Sequence, residues 1–522
     1  MARPRAALLA WSAIALLQPH WWGAQAAAPA PQPAPGPAVG PAMHARAAGA
    51  AGALRLGRMT LLPCEIGSRA ALGLPTVGAY CGAYEVPENW DAPRGRRIAL
   101  NVAVVKSEAS APDPDLVVFL DGGPGGAATE DYPAVAGAFA PLLARRDILV
   151  MDQRGTGAAN PLSCAQLARG PGSEIATDEA ASVQSLRNCL AQIEPHAAPE
   201  YYTTSDAVRD LEEVRRALGG PRLDLIGISY GTRVAQQYAG RYADAVRSVV
   251  LDSPVPNRLV LLSEQARNLE HALRALFARC GMQAGCAQRV GDPYATLYHL
   301  RDALRAHPQA VEMHDPTTFE SLHRTLTAAD LVAVVRFYAY SPLTAALLPL
   351  MLHTADRGDY APLLGQTKLI NDDLGDRISS GLQLSVLCAE DADLLAPRPE
   401  DQGTLLGNEA ISRLQAACAI WPRGRRPANF HAPLVTSLPV LVLSGQFDPV
   451  TPPEYGAEIV RGLRNARLLL ANGQGHGVIG AGCMPRLVQR FLDVPQPGRL
   501  DAGCLRRLGA TPLFIDYNGA AP

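Results

Sequence analysis

The stretch LDLIGISYGTR, residues 223–233, runs from an apolar segment into a serine flanked by Gly227 and Gly231. LDLIGI reads as a buried strand, and the following TRVAQQYAGRYADAV reads as a helix. A serine on the sharp turn between such elements is the setting of a nucleophile elbow. Glycines suit the flanks because a tight turn brings neighbouring backbones too close for a Cβ. The turn would hold the Ser229 hydroxyl at the C-terminal edge of a sheet.

Working outward, further β-rich runs alternate with helical patterns over residues 90–256: RRIALNVAVV, DLVVFLDGG, RDILVMDQR and SVVLDSP. Such alternation predicts an α/β fold, a mostly parallel sheet covered by helices. In TTSDAVRDLEEVRRALGG, Val208, Leu211, Val214 and Leu218 recur at helical spacing, with Ser205 as the expected cap and Gly219 as the expected stop. From residue 257 to 430 the pattern turns to long helical stretches with no obvious strands, before PVLVLSGQFDPV and ARLLLANGQGH restore the strand signal. Two strands alone make no stable sheet, so residues 257–430 read as a helical cap inserted into one core formed by 53–256 and 431–522.

A serine hydroxyl is a weak nucleophile until a base takes its proton, so the elbow calls for an acid and a histidine downstream, in the order Ser, Asp, His. Asp448 follows PVLVLSGQF, and His476 lies in GQGHG after ARLLLAN. Both stand just past strand ends, where the loops of an open α/β sheet converge. Asp448 would orient His476, which would take the Ser229 proton and pass it to the leaving group. Asp252 and Asp152 also lie near strand ends, and Asp252 is the rival acid. The oxyanion donors are expected from DGGPGG, residues 121–126, and from the elbow: the backbone N–H groups of Gly123 and Tyr230. The scheme calls for no cofactor and no metal.

The chain has 522 residues, 48% of them hydrophobic and 18% charged, with a formal net charge of −2. That balance reads as globular and lacks the basic excess that nucleic acid would require. Arg3 and Arg5 precede the apolar run AALLAWSAIALL, and Ala24-Gln25-Ala26 offers a small-x-small cleavage site. Residues 1–26 therefore read as a signal peptide cleaved near Ala26, which predicts a periplasmic or secreted protein. The apolar run is too short to span a bilayer, for which about 20 residues are needed. Residues 27–52, rich in Ala, Pro and Gly, read as a linker. The ten cysteines, Cys64, Cys81, Cys164, Cys189, Cys280, Cys286, Cys388, Cys418, Cys483 and Cys504, suggest disulfides in an exported chain. Pairing neighbours in order is the simplest connectivity; no CxxC pair or His/Cys cluster supports zinc instead.

GGPGG at 122–126, DQRGTG at 152–157, GISYGTR at 227–233, SGQFDPVTPP and GQGHG together resemble the α/β-hydrolase serine aminopeptidases, in particular the secreted tripeptidyl-aminopeptidase-like branch related to proline iminopeptidases. The resemblance spans roughly residues 60–505. It implies an exopeptidase acting on unblocked peptides, a helical cap between the sixth and seventh strands, and Ser229, Asp448 and His476 as the triad. Proline iminopeptidases carry His-Gly-Gly-Pro-Gly where this chain has Asp121, which favours the tripeptidyl branch. Carboxylates must then bind the substrate ammonium, and the candidates are Glu390 and Asp391 in SVLCAEDADLL, followed by Glu264 and Glu270. Arg154 in DQRGTG is expected to form a structural ion pair rather than a substrate clamp. An esterase on the same scaffold is the rival function, and a non-catalytic binding protein is the third. Oligomeric state is left open.

Overall fold

The computed structural model describes residues 52–67, 76–163 and 179–520. The expected signal peptide, most of the expected linker and Cys164 lie outside the described residues.

Ten strands form one sheet. In chain order they are β1 (Leu54–Leu56), β2 (Met59–Ile66), β3 (Val77–Pro87), β4 (Arg97–Val105), β5 (Leu116–Leu120), β6 (Ile148–Met151), β7 (Leu223–Ile228), β8 (Val246–Asp252), β11 (Val440–Gly445) and β12 (Ala466–Ala471), with β9 (Gln309–His314) and β10 (Ser321–Leu326) set apart as a hairpin. The spatial order is β1-β2-β3-β4-β6-β5-β7-β8-β11-β12. The four N-terminal strands pair antiparallel, β4 pairs antiparallel with β6, and the six strands from β6 to β12 run parallel. The α/β expectation holds.

Every residue of β5, LVVFL, is buried, as a strand covered on both faces requires. Leu116, Val118 and Leu120 join the core on one face, while Val117 and Phe119 join the core on the other. The helices Thr204–Ala217 and Tyr230–Arg241 cover the first face, and Ala128–Leu143 and Met484–Asp493 cover the second. In Thr204–Ala217 the cap is Thr203, whose side chain accepts from Asp206 N, rather than the expected Ser205. Gly219 follows the helix end with φ +104°.

β8 and β11 are sheet neighbours, so everything between residues 252 and 440 is inserted at one end of a single strand pair. The insertion contains two packing units. Helices between Gln265 and Arg377 enclose a core of their own, which includes Leu273, Leu297, Leu331, Val335, Leu348 and Leu363. The segment carrying Leu382, Val386, Leu414 and Trp421 instead joins the core on the first face of the sheet.

The absence of strands expected here is corrected by β9 and β10, which pair antiparallel over Gln309–His314 and Ser321–Leu326. They are short, and half their residues face solvent, so their apolar signal is thin. Four of the expected neighbour pairs are disulfides: Cys64–Cys81, Cys280–Cys286, Cys388–Cys418 and Cys483–Cys504. Cys189 is also disulfide-bonded, and its expected partner Cys164 is not among the described residues. Among the described residues no helix is long and apolar enough to cross a membrane.

Candidate active site

Ser229 stands between β7 and the helix Tyr230–Arg241 with φ 55° and ψ −124°, a backbone conformation that costs a non-glycine residue about 1–3 kcal/mol. The flanking glycines make this turn possible. A Cβ on Gly227 would lie 2.4 Å from Gly231 O, and one on Gly231 would lie 2.1 Å from Leu120 O. The turn is held by Ser229 N donating to Asp252 O at 2.9 Å and by Thr232 N donating to Ser229 O at 2.9 Å.

Past β11, the Asp448 carboxylate is 2% exposed and accepts from Val450 N at 2.9 Å, Thr451 N at 2.8 Å and Thr451 Oγ1 at 2.9 Å. His476, past β12, places Nδ1 2.8 Å from Asp448 Oδ2 and 3.0 Å from Oδ1. Burial by itself would raise the Asp448 carboxyl, but the facing His476 and the donors from Thr451 and Val450 outweigh it and hold the carboxyl below its ordinary range. For His476, burial opposes the charged ring, and the Asp448 carboxylate, with help from Asp252, still raises the imidazole above 6.5. The Asp448 bond at Nδ1 leaves Nε2 as the free ring nitrogen, the arrangement a general base needs. The inserted Gln265–Arg377 unit reaches this residue too. Tyr340 O accepts from His476 N at 2.8 Å, and the Tyr340 ring meets the imidazole at 5.1 Å in an edge arrangement.

Gly122 to Gly126 follow β5 and pass beside the elbow. A Cβ on Gly122 would stand 3.3 Å from Ser229 Cβ and 3.9 Å from Oγ, so Gly122 is the residue that makes the close approach. Gly123 comes next with φ +109°. Tyr230 opens the helix after the elbow, and the first N–H groups of a helix have no partner within it. The expected donors therefore sit on the loop beside Ser229 and at the helix N-terminus immediately after it.

The family profile described as alpha/beta hydrolase fold matches residues 115–480. The chain belongs to that family. Its curated relatives include serine protease Hip1 of Mycobacterium tuberculosis, 27% identical over 461 residues that cover 80% of this chain and 85% of that protein. Tripeptidyl aminopeptidase of Streptomyces lividans is 24% identical over 455 residues, 81% of this chain and 83% of that protein. These relatives put the hydrolase alongside peptidases of the family. Carboxylesterase B of Mycobacterium tuberculosis is 27% identical over 467 residues, 80% of this chain and 85% of that protein. Among solved structures, proline iminopeptidase of Mycobacterium smegmatis aligns with a TM-score of 0.36 at 17% identity, over 79% of this chain and 98% of that one.

The acids expected to bind an ammonium group lie at different places in this alpha/beta hydrolase. Glu390 and Asp391 are 0% exposed. Glu390 accepts from Thr204 N at 2.6 Å and Thr204 Oγ1 at 2.9 Å, and that hydroxyl lies 2.6 Å from Tyr230 Oη. Burial pushes the Glu390 carboxyl up to about 8 against the pull of Arg233. Asp391 binds Arg233 Nη1 at 2.7 Å. Glu264 accepts from Tyr455 Oη and pairs with Arg267 at 2.8 Å; Glu270 holds Tyr294 and Tyr298 and pairs with Arg274 at 3.1 Å. Glu390 reaches Tyr230 through Thr204, Asp391 reaches the helix after the elbow through Arg233, and Glu264 and Glu270 are bonded elsewhere. Arg154 is a structural residue: it is fully buried and binds Asp210 through Nε at 2.7 Å and Nη2 at 2.6 Å. Asp152 accepts from Asn101 Nδ2, Thr129 N and Thr129 Oγ1, each at 2.8 Å.

Sequence reading places Gly122 in DGGPGG and Thr451 in SGQFDPVTPP without giving either a role, and does not single out Tyr340. Thr451 sits in DPVT, where an Asx-type turn is a readable signal; Tyr340 carries none, because its contact with His476 depends on how the cap folds back.

Proposed function

We propose that this hydrolase is an exported serine aminopeptidase that releases N-terminal residues or short peptides from unblocked substrates through an acyl-enzyme. Ser229 is the nucleophile, His476 the general base and then acid, and Asp448 the acid that fixes the imidazole tautomer. His476 Nε2 takes the hydroxyl proton as Ser229 Oγ bonds to the carbonyl carbon, and returns it to the leaving amine nitrogen as the C–N bond breaks. Water then attacks the ester by the same proton path. The N–H groups of Gly123 and Tyr230 receive the oxyanion, each worth about 3 kcal/mol in such sites. The observation that carries this reading is the His476–Asp448 bond on a loop adjoining the strained Ser229 elbow.

The peptidase choice is supported by the relatives named serine protease and tripeptidyl aminopeptidase. Of the four acids, Glu390 is linked to Tyr230 through Thr204, but it is 0% exposed and burial holds its carboxyl protonated at neutral pH, so it is not assigned to the substrate ammonium. Export is supported by disulfides that close short loops, a pattern of oxidising compartments. The second reading, a carboxylesterase, has the relative of that name in its favour. Free and N-acetylated aminoacyl and tripeptidyl anilides, assayed beside short acyl esters, separate them. Turnover of free-amine anilides is expected; ester turnover without any anilide turnover would replace the peptidase with the esterase. An unchanged preference for free amines in Glu390→Gln is expected, and loss of that preference would return Glu390 to substrate recognition.

A further inference from the structure

His476 is followed by Gly477, Val478 and Ile479, and the N–H groups of all three end on two adjacent side chains at the tip of β8. Gly477 N donates to Ser253 Oγ at 2.9 Å, Val478 N to Asp252 Oδ1 at 2.9 Å and Ile479 N to Asp252 Oδ2 at 2.7 Å. The same two residues also hold, through their backbone, the Ser229 elbow and the strand that leads to Asp448. Asp252 O accepts from Ser229 N at 2.9 Å, and Ser253 N donates to Leu443 O of β11 at 2.8 Å. Asp252 and Ser253 are each 0% exposed, and Ser253 is held at φ 53°, in the left-handed region a serine rarely occupies. A carboxylate buried so completely is costly, and a loop satisfied by water would need none. We propose that Asp252 and Ser253 are positioning residues that set the His476 loop against the Ser229 elbow, Asp252 through its backbone carbonyl and both carboxylate oxygens at once. The proposal rests on the triad reading and assigns the rival acid a distinct role, since the residue bonded to His476 Nδ1 is Asp448.

The charge of Asp252 adds to this placement. The groups that face His476 are the Asp448 carboxylate and Thr451 hydroxyl from the loop after β11, the Asp252 carboxylate from β8, and the Tyr340 ring from the cap. Asp252 thus supplies a second negative charge that favours the imidazolium formed when His476 takes a proton. Burial lifts the Asp252 carboxyl to about 6, against the two N–H groups it accepts, so it is ionised at neutral pH.

The test compares Asp252→Asn and Ser253→Ala with wild type, using Ser229→Ala as the control. An asparagine can accept from only one of Val478 N and Ile479 N, so kcat is expected to fall about 10- to 100-fold, as for a small misplacement of a catalytic group, with KM within about 3-fold. The acid limb of the kcat/KM profile should move to lower pH, which a purely structural role would not cause. Ser253→Ala loses the Gly477 bond and the 3.3 Å donation from Ser253 Oγ to Asp252 Oδ1, leaves the Asp252 charge in place, and should lower kcat about 3- to 10-fold without moving that limb. A folded Asp252→Asn protein with wild-type kcat and an unmoved acid limb overturns the proposal. If Asp252→Asn does not fold, Ser253→Ala decides: wild-type kcat overturns it. Full activity in Ser229→Ala would signal failure of the triad reading itself, a separate result.

Discussion

At the scale of single residues, the electrostatics fix two measurable profiles. Raising the His476 imidazole above 6.5 means that the neutral base is populated only as pH rises past that raised value. The kcat/KM of the free enzyme should therefore have an acid limb above 6.5. Asp448→Asn removes the main cause of the shift and the tautomer control, so activity should drop about 10⁴-fold and the limb should move down. An unmoved limb would show that Asp448 does not set the base. The ion pair itself stabilises the fold most between the unfolded carboxyl value of 3.8 and the unfolded imidazole value of 6.5, and that contribution is lost as pH rises through the raised imidazole value or falls through the lowered carboxyl value. Glu390 gives a second profile. Its carboxyl titrates at about 8 in the folded chain and near 4.5 when unfolded, so the unfolded state ionises first and stability falls as pH rises through that window. Glu390→Gln keeps an acceptor for Thr204 N and gives Thr204 Oγ1 a donor, while removing the titration. Denaturant melts should show the variant gaining on wild type between about pH 5 and about pH 8.5; a constant difference would mean that Glu390 is ionised throughout.

At the scale of elements, the elbow depends on backbones that touch. A Cβ on Gly231 would meet Leu120 O at 2.1 Å, Leu120 C at 2.6 Å and Asp121 O at 2.7 Å, all main-chain atoms that cannot rotate away. Gly231→Ala must push the helix Tyr230–Arg241 off β5, at a cost of about 3 kcal/mol or more, the upper end of overpacking. Chemical denaturation checks this, and a loss under about 1 kcal/mol would show that the turn relaxes freely. This element was legible in the sequence because its parts are contiguous: an apolar run, glycines two residues either side of a serine, then a helical pattern. The strand ends bearing Asp448 and His476 were legible for the same local reason. What escaped was polar, amphipathic or long-range. Strands β1 to β3 lie at the antiparallel edge, where β2 alternates buried and exposed residues over MTLLPCEI, and the hairpin of β9 and β10 is half solvated. Asp252 looks like any strand-end acid until the fold brings Val478 and Ile479 to it across the sheet. Glu264 and Glu270 could be recognised as carboxylates, but their engagement with Tyr455, Tyr294 and Tyr298 is set by helix packing that no local pattern records.

For the molecule as a whole, the question is what fixes the inserted helices over the site. The four described disulfides close loops separated by 17, 6, 30 and 21 residues, and none joins the Gln265–Arg377 unit to the sheet. Among the described residues that attachment uses hydrogen bonds and packing, including Asn268 Nδ2 to Val450 O at 2.9 Å and to Tyr455 Oη at 2.8 Å, and the C-terminal segment adds to it. Leu513 is 1% exposed in a cluster with Cys280, Cys286, Val290 and Ala346 of the cap. Phe514 N donates to Ala346 O at 3.1 Å, Tyr517 Oη lies 3.2 Å from Thr354 Oγ1, and Arg279 Nη2 binds Thr511 O. The same segment abuts the histidine loop, where Gln474 Nε2 donates to Gly509 O at 3.1 Å and a Cβ on Gly473 would meet Ala510 N. It therefore straps the cap to the loop that carries His476, in series with the bond from His476 N to Tyr340 O. Ending the chain after Leu508 should remove about 1.5–3 kcal/mol of Leu513 burial, lower Tm, and leave Arg279 without its carbonyl acceptor. Amide exchange should then rise in the helices Gln265–Met282 and Pro342–Asp356 while β5 and β7 keep full protection, since their contacts lie within the sheet. Turnover of small anilides should fall along with cap protection, because Gln474 and Tyr340 hold the histidine loop from that side. Cap helices that exchange at wild-type rates in the truncated chain would show that the Gln265–Arg377 unit is anchored without the strap.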